Sequence, residues 1–174
     1  AAALAALCHW SLAQLRAATN LYVGAAYGRP LTLAHWRTLG TLARCGSLPA
    51  LQGLFVVVSD NGDEGVALLA DGLRRGSLPS LRDLDLRDAQ IGPRGATALA
   101  PALTKRALPS LKRLNLNSNQ IGDAGLTALA PALRQLPKRK ELFLCTNEIA
   151  DQGLAALLAP PTAGVLLSLQ LLSL

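Results

Sequence analysis

The chain has 174 residues, 51% of them hydrophobic and 16% charged, with a mean hydropathy of +0.31, a composition that excludes a disordered segment and requires a buried core. Aromatics make up only 3%, so that core has to be built from Leu, Val, Ile and Ala, which suits thin repetitive packing better than one large interior. Seventeen Lys and Arg against eleven Asp and Glu leave a net charge of +6 and a pI near 9.8, favouring acidic partners without requiring nucleic acid.

The sequence contains no Met, and the chain is expected to be a piece of a longer protein. Its opening, AAALAALCHWSLAQLRAAT, has no basic leader, and His9, Gln14 and Arg16 break the apolar run, so neither a signal peptide nor a membrane span is expected. Cys8, Cys45 and Cys145 are odd in number and widely spaced, which predicts reduced thiols and a cytoplasmic, intracellular location. Residues 1–50 read as a helical or degenerate N-terminal repeat region. Within it Arg44-Cys45-Gly46-Ser47-Leu48-Pro49 mirrors Arg74-Arg75-Gly76-Ser77-Leu78-Pro79, with the preceding strand starting near residue 18 or near Leu12.

From residue 51 the chain repeats itself. LPSLRDLDLRDAQIGPRGATALAPALTKRA aligns with LPSLKRLNLNSNQIGDAGLTALAPALRQ at an offset of 30, which gives units at 51–80, 81–110, 111–138 and 139–168 and a truncated unit at 169–174. Each opens on L-x-x-L-x-L, as at Leu81, Leu84, Leu86 and at Leu111, Leu114, Leu116, an alternation that predicts short parallel strands. The β-branched run Gly53-Leu54-Phe55-Val56-Val57-Val58 supports a strand in the first unit, and Arg139 loosens the edge of the fourth. Ile91, Ile121 and Ile149 are expected to turn inward, Gly92 and Gly122 to permit the bend, and Asp123 or Asp151 to cap a helix starting near Gly125 or Gly153. Leu99, Leu129 and Leu157, with Leu103 and Leu133, keep one helical face apolar. Pro101 and Pro131 predict short, bent helices, and Pro160-Pro161 stops the last one by about Ala159.

The segment LKRLNLNSNQIGDAGLTALAPAL resembles a leucine-rich repeat of the ribonuclease-inhibitor-like subtype, and the likeness covers 51–174 well and 18–50 loosely. It implies an α/β fold, a right-handed leucine-rich-repeat solenoid or horseshoe with parallel concave strands and convex helices. It also implies a non-enzymatic protein–protein interaction module that binds a macromolecular partner on the concave face. The resemblance further implies an Asn after each strand that hydrogen-bonds backbone within and between turns; Asn119 and Asn147 match, while Ser59 and Ala89 stand in that place. An alternative role under the same resemblance is the sensor or regulatory arm of a larger NOD-like receptor or GTPase-activating protein.

Alternate strand residues point outward and form columns across the units, because neighbouring strands lie about 4.8 Å apart. One column runs Phe55, Asp85, Asn115, Phe143 and Ser173, the next Val57, Arg87, Asn117 and Cys145, with Arg82, Asp83, Lys112, Arg113, Lys140 and Glu141 flanking them. Phe55, Val57 and Val58 are the candidate hot spot, unless the degenerate repeat covers them. Arg44, Arg74, Arg75, Lys105, Arg106 and Arg134 recur just after the helices, where they complement helix C-terminal dipoles or, with Lys138-Arg139-Lys140, form a track for an acidic protein or phosphate-rich ligand. Nucleic acid fits poorly without interleaved aromatics.

No hydrolase, phosphate-loop or paired-cysteine metal motif occurs, so neither catalysis, cofactor nor metal is expected. His9 and His35 read as packed or surface side chains, and Cys145 lacks an obvious base. Gly92–Gly95 and Gly122–Gly125 have G-x-x-G spacing but recur at the repeat offset, which assigns them to the scaffold. Leu169, Leu172 and Leu174 begin a strand that should be sticky or continue into more chain. Neither the partner nor the oligomeric state follows from the sequence.

Overall fold

The computed structural model describes residues 12–24, 31–57, 61–73, 77–104, 106–135, 140–159 and 169–173. Helix α1 (Leu12–Ala17) leads into β1 (Asn20–Gly24), so the first strand lies at the later of the two starts the sequence allows. Then follow α2 (Leu33–Arg44), β2 (Gly53–Val57), α3 (Gly62–Leu73), β3 (Asp83–Asp85), α4 (Pro93–Leu99), β4 (Arg113–Asn115), α5 (Gly122–Gln135), β5 (Lys140–Phe143), α6 (Asp151–Leu158) and β6 (Leu169–Ser173). The six strands form one parallel sheet in chain order, with a helix between each strand and the next.

A single leucine line runs through the register. Leu21 pairs with Leu54, Leu54 with Leu84, Leu84 with Leu114, Leu114 with Leu142 and Leu142 with Leu172. These strand leucines meet the inward faces of the helices, where Leu69, Leu99, Leu129 and Leu157 are all buried. Each buried Leu contributes roughly 1.5–3 kcal/mol, and no single turn could cover its own share, so stacking is the source of stability. Ile91 and Ile121 are fully buried and Ile149 packs against the core, as their spacing predicts.

The helices depart from expectation in three places. Pro101 does end the α-helix, which tightens into a 3-10 turn over Ala100–Ala102, but α5 runs unbroken through Pro131 with that ring on the exposed face. Gly122 takes a left-handed φ of 58°, whereas Gly92 is extended and its turn is made by Asp88 and Gln90, at φ of 51° and 55°. α6 ends at Leu158, where the diproline predicts.

The third departure concerns the caps. Asp123 does not cap its own helix: its Oδ1 accepts from the Ala150 and Gly153 amides at 2.8 and 2.9 Å, at the start of α6 one turn further on. Asp63 does the same for α4, accepting from the Gly92 and Gly95 amides at 2.7 and 2.8 Å. The N-cap residues themselves are Gly92 and Ala150, which carry no side-chain oxygen to offer, so the anion at each helix start is lent by the preceding turn. Asp151 lies in the first turn of its own helix.

The asparagines bind the turns more deeply. Asn119 Oδ1 accepts from the Ala89 and Ile91 amides at 3.1 and 3.0 Å, while its Nδ2 donates to the carbonyls of Leu86, Leu116 and Asn117. Asn147 repeats this one turn later, reaching the Ile121 amide at 3.4 Å and the Leu116, Leu144 and Cys145 carbonyls. Both side chains are buried, and the Ala89, Ile91 and Ile121 amides and the Leu86 carbonyl that they satisfy would otherwise be buried without a partner. Ala89 has no amide to lend, and Ser59 lies outside the described residues.

Candidate interaction surface on the strand face

The strand face carries three rows of side chains set by the parallel register. The middle row, Tyr22, Phe55, Asp85, Asn115, Phe143 and Ser173, lies side by side across all six strands. Its centre is closed. Asp85 is 4% exposed and Asn115 8%, against the expectation of two accessible contacts. Asp85 Oδ1 accepts from the Arg87 amide at 3.1 Å, Arg87 Nη2 reaches Oδ2, and Asn115 Nδ2 donates to the same carboxylate at 3.4 Å. Asn115 Oδ1 in turn accepts from the Asn117 amide at 3.0 Å. The polar atoms of the row's centre are therefore spent on the strands themselves.

Its ends are different. Phe55 and Phe143 are half-buried, and the ring left open is Tyr22, 66% exposed. Tyr22 stacks on Phe55 with ring centroids 4.3 Å apart and planes 8° from parallel, a geometry that holds both rings rigid. Gly53 makes room for this: a Cβ there would stand 2.6 Å from the Phe55 ring and 2.4 Å from Asn20 Oδ1. The degenerate repeat thus partly covers Phe55, and in doing so adds an aromatic of its own. The signal for Tyr22 is present in the sequence, since Leu21-Tyr22-Val23 repeats the alternation of Leu54-Phe55-Val56, but it becomes legible only with the strand start fixed.

The flanking row alternates in charge. Asp83, Arg113 and Glu141 are register neighbours, and Arg113 Nε donates to Glu141 at 2.6 Å with Asp83 at 3.9 Å on its other side. The hydrogen bond to Glu141 raises the Arg113 guanidinium above its ordinary value, as the hydrogen bond to Asp85 does for Arg87, so both stay charged at any physiological pH. Val57 and Asn117 are half-buried, and Asn117 Oδ1 accepts from the Cys145 amide at 2.8 Å. Cys145 Sγ lies 2.9 Å from Ser173 Oγ, with no base beside it among the described residues. Arg82 and Lys112 are exposed at the strand starts, Lys140 opens β5, and Val58 lies outside the described residues.

Of the basic residues that follow the helices, Arg134 caps a helix end, its guanidinium donating to the Ala156 and Leu157 carbonyls of the next turn. Arg44 faces Asp71 at 3.8 Å, with both side chains largely in solvent, a pair worth little. Arg106 is exposed; Arg74, Arg75, Lys105, Lys138 and Arg139 lie outside the described residues, as does His9. His35 serves the fold, because the Thr32 amide donates to its Nδ1 at 3.0 Å and closes the first turn of α2.

A cavity of about 180 Å³ lies against Leu144, Asn147, Ile149 and Leu154, below the roughly 300–1,000 Å³ of ligand pockets. Among the described residues no group of three or more His, Cys, Asp or Glu side chains could hold a metal, and no helix is long and apolar enough to cross a membrane.

Residues 77–100 and 107–130 match the family model for a leucine-rich repeat. No curated protein sequence matches the chain. Among the matching solved structures is one titled Leiomodin-1 Actin-Binding Site 2, which superposes with a TM-score of 0.57 over 78% of this chain and 76% of that one at 19% identity. A likeness at that identity speaks to the fold. With a leucine line through six parallel strands and an asparagine joining successive turns, the chain carries leucine-rich repeats and folds as an α/β leucine-rich-repeat solenoid.

Proposed function

We propose that this chain is a non-enzymatic protein-interaction module whose strand face receives a macromolecular partner, and that contact is concentrated at the two ends of the middle row. The observation that carries this is the stacked Tyr22–Phe55 pair: a rigid aromatic anchor, open to solvent on the Tyr22 side, beside a row centre whose polar groups are already satisfied. Aromatic anchors of this kind supply most of the energy of protein interfaces, and polar surroundings supply fit. Phe143 and Cys145 form the lesser, second contact. The ribonuclease-inhibitor-like subtype belongs to the same proposal, supported by the full α-helix that follows the strand in α3 and α5. So does a cytoplasmic location, supported by the free thiols of Cys45 and Cys145. The region before residue 51 is treated as part of the binding surface, because β1 continues the sheet and contributes Tyr22.

The test is capture with the whole chain, comparing the native sequence with Tyr22→Ser/Phe55→Ser and with Phe143→Ser. Actin enters as one defined bait, since the matched structure is titled an actin-binding site. Loss of capture in the first variant, with unchanged thermal unfolding, is the expected result; full retention of every partner in both variants removes the strand face from consideration.

A further inference from the structure

The strands run one way and the helices return the other, so strand starts and helix ends share one edge of the solenoid, and strand ends and helix starts share the opposite edge. The two edges differ in charge. The strand-end edge carries Glu64, Asp88, Glu148 and Asp151 exposed, besides the capping Asp63 and Asp123, against Arg94 at the start of α4 and Arg87, which is paired with Asp85. The strand-start edge carries Arg44, Arg82, Arg106, Lys112 and Arg134, and its carboxylates among the described residues are Asp71, beside Arg44, and Asp83 and Glu141, which Arg113 already engages.

Helix-dipole compensation accounts for part of this pattern and not for the rest. Arg134 sits on carbonyls at a helix end, and Arg44 faces Asp71. Arg82 and Lys112 follow a different logic: each stands immediately before a strand, the Lys112 amide donating to the Arg82 carbonyl at 2.7 Å, so they are neighbours across two turns. Arg106 lies beyond the 3-10 turn that ends at Ala102. All three are exposed, and among the described residues none has a carboxylate within ion-pair distance. The cations of the strand face, Arg87 and Arg113, are by contrast both neutralised by partners on adjacent strands or their own.

We propose that this edge docks an acidic polypeptide segment, with Arg82, Arg106 and Lys112 as its charge contacts; the proposal rests on the reading of the chain as a protein-interaction module and names the chemistry of the partner. A polypeptide is favoured over nucleic acid because among the described residues the edge offers no aromatic for base stacking, its turns being Leu48-Pro49-Ala50, Leu78-Pro79-Ser80 and Leu108-Pro109-Ser110. It is favoured over a membrane because, of the exposed large apolar side chains among the described residues, Tyr22 lies on the strand face and Leu158 stands singly at the end of α6, which is less apolar surface than insertion into a bilayer requires.

The experiment uses the whole chain and a fluorescein-labelled oligoglutamate peptide, read by anisotropy at about 0.05 M and about 0.3 M salt, on either side of the ionic strength at which the Debye length is roughly 10 Å. Arg82→Glu/Arg106→Glu/Lys112→Glu should weaken binding at low salt by about tenfold or more, and the native chain should lose affinity on raising the salt. Tyr22→Ser/Phe55→Ser should leave peptide binding within about twofold, since those rings lie on another surface. Because that variant reads the strand face and the triple variant reads the edge, either proposal can fail alone. Unchanged binding in the triple variant, with circular dichroism showing that it folds, overturns the edge. So does tighter, reversal-sensitive binding to phosphatidylserine vesicles or single-stranded RNA than to the peptide. Self-association abolished by the reversals would assign the edge to the acidic side of a second copy and equally overturn it.

Discussion

The turns from β1 to α3 and those from β3 to α6 keep the same parallel register by different means. In the later turns, buried amides do the joining: Asn119 and Asn147 tie each strand exit to the one before it, and Asp123 and Arg134 reach across to α6, as Asp63 at the start of α3 does to α4. In the earlier turns the helices themselves touch. A Cβ on Gly72 would stand 2.1 Å from the Gly40 carbonyl oxygen, and one on Gly65 would stand 2.4 Å from the buried Trp36 indole nitrogen. There α2 and α3 approach at backbone distance, and Trp36, fully buried, fills the space beside them. The two regions meet at Gly62, where a Cβ would collide with the Ala89 and Gln90 carbonyls at 2.2 Å; close backbone approach stands where the turn at Ala89 has no amide to lend. A solenoid needs only that neighbouring turns stay in register, and polar ladders or tight helix contact can each supply that.

The largest effect should come from breaking the ladder. Asn119→Ala leaves the Ala89 and Ile91 amides and the Leu86 carbonyl without a partner, while the Leu116 and Asn117 carbonyls keep Asn147 and the Asp88 amide, and an expected loss of about 4 kcal/mol follows if each orphan costs between about 1 and 2 kcal/mol. Denaturant unfolding would measure it, and hydrogen exchange should place the loosening at Ala89 and Ile91 rather than around Trp36. A loss below about 1 kcal/mol would mean that water replaces the amide freely.

Gly72→Ala is the matching test of the earlier turns. The added methyl meets backbone and not a mobile side chain, so α2 and α3 must part, at an expected cost of about 3 kcal/mol. Here the near-ultraviolet signal of Trp36 should change while exchange at the Asn119 contacts stays as it was. If both mutations loosened both regions equally, the division between them would be wrong and the solenoid would behave as one cooperative unit.

The smallest effect separates a borrowed cap from a local one. Asp123→Ala should cost about 1 kcal/mol, with faster exchange at Ala150 and Gly153 in α6 and none added at the start of α5, the helix that contains the mutated residue. Loosening confined to α5 would return Asp123 to the role its sequence position suggests.

The strand face shows where sequence reading stopped. The column Phe55, Asp85, Asn115, Phe143, Ser173 was legible because alternation and an offset of 30, shortened to 28 between Asn115 and Phe143, fix both the face and the order. That Asp85 and Asn115 are shut was not, since burial depends on which neighbours turn their hydrogen bonds inward, and Arg87 reads equally well as a free cation or as a clamp on Asp85. Tyr22 was hidden by the offset itself: β1 pairs Asn20 with Gly53, thirty-three residues on, outside the period of the later units.

By itself the sequence determined the period, the leucine line and the succession of strand and helix, because these follow from local alternation and from the need of each turn to bury apolar area against the next. Only the tertiary structure decided which turn a polar side chain serves. Stacking brings equivalent positions of successive turns to about 4.8 Å, so an aspartate or asparagine near the strand exit is closer to its neighbour's backbone than to much of its own turn. For that reason the caps, the closed centre of the strand face and the uncompensated cations of one edge could be seen only after the turns were laid side by side.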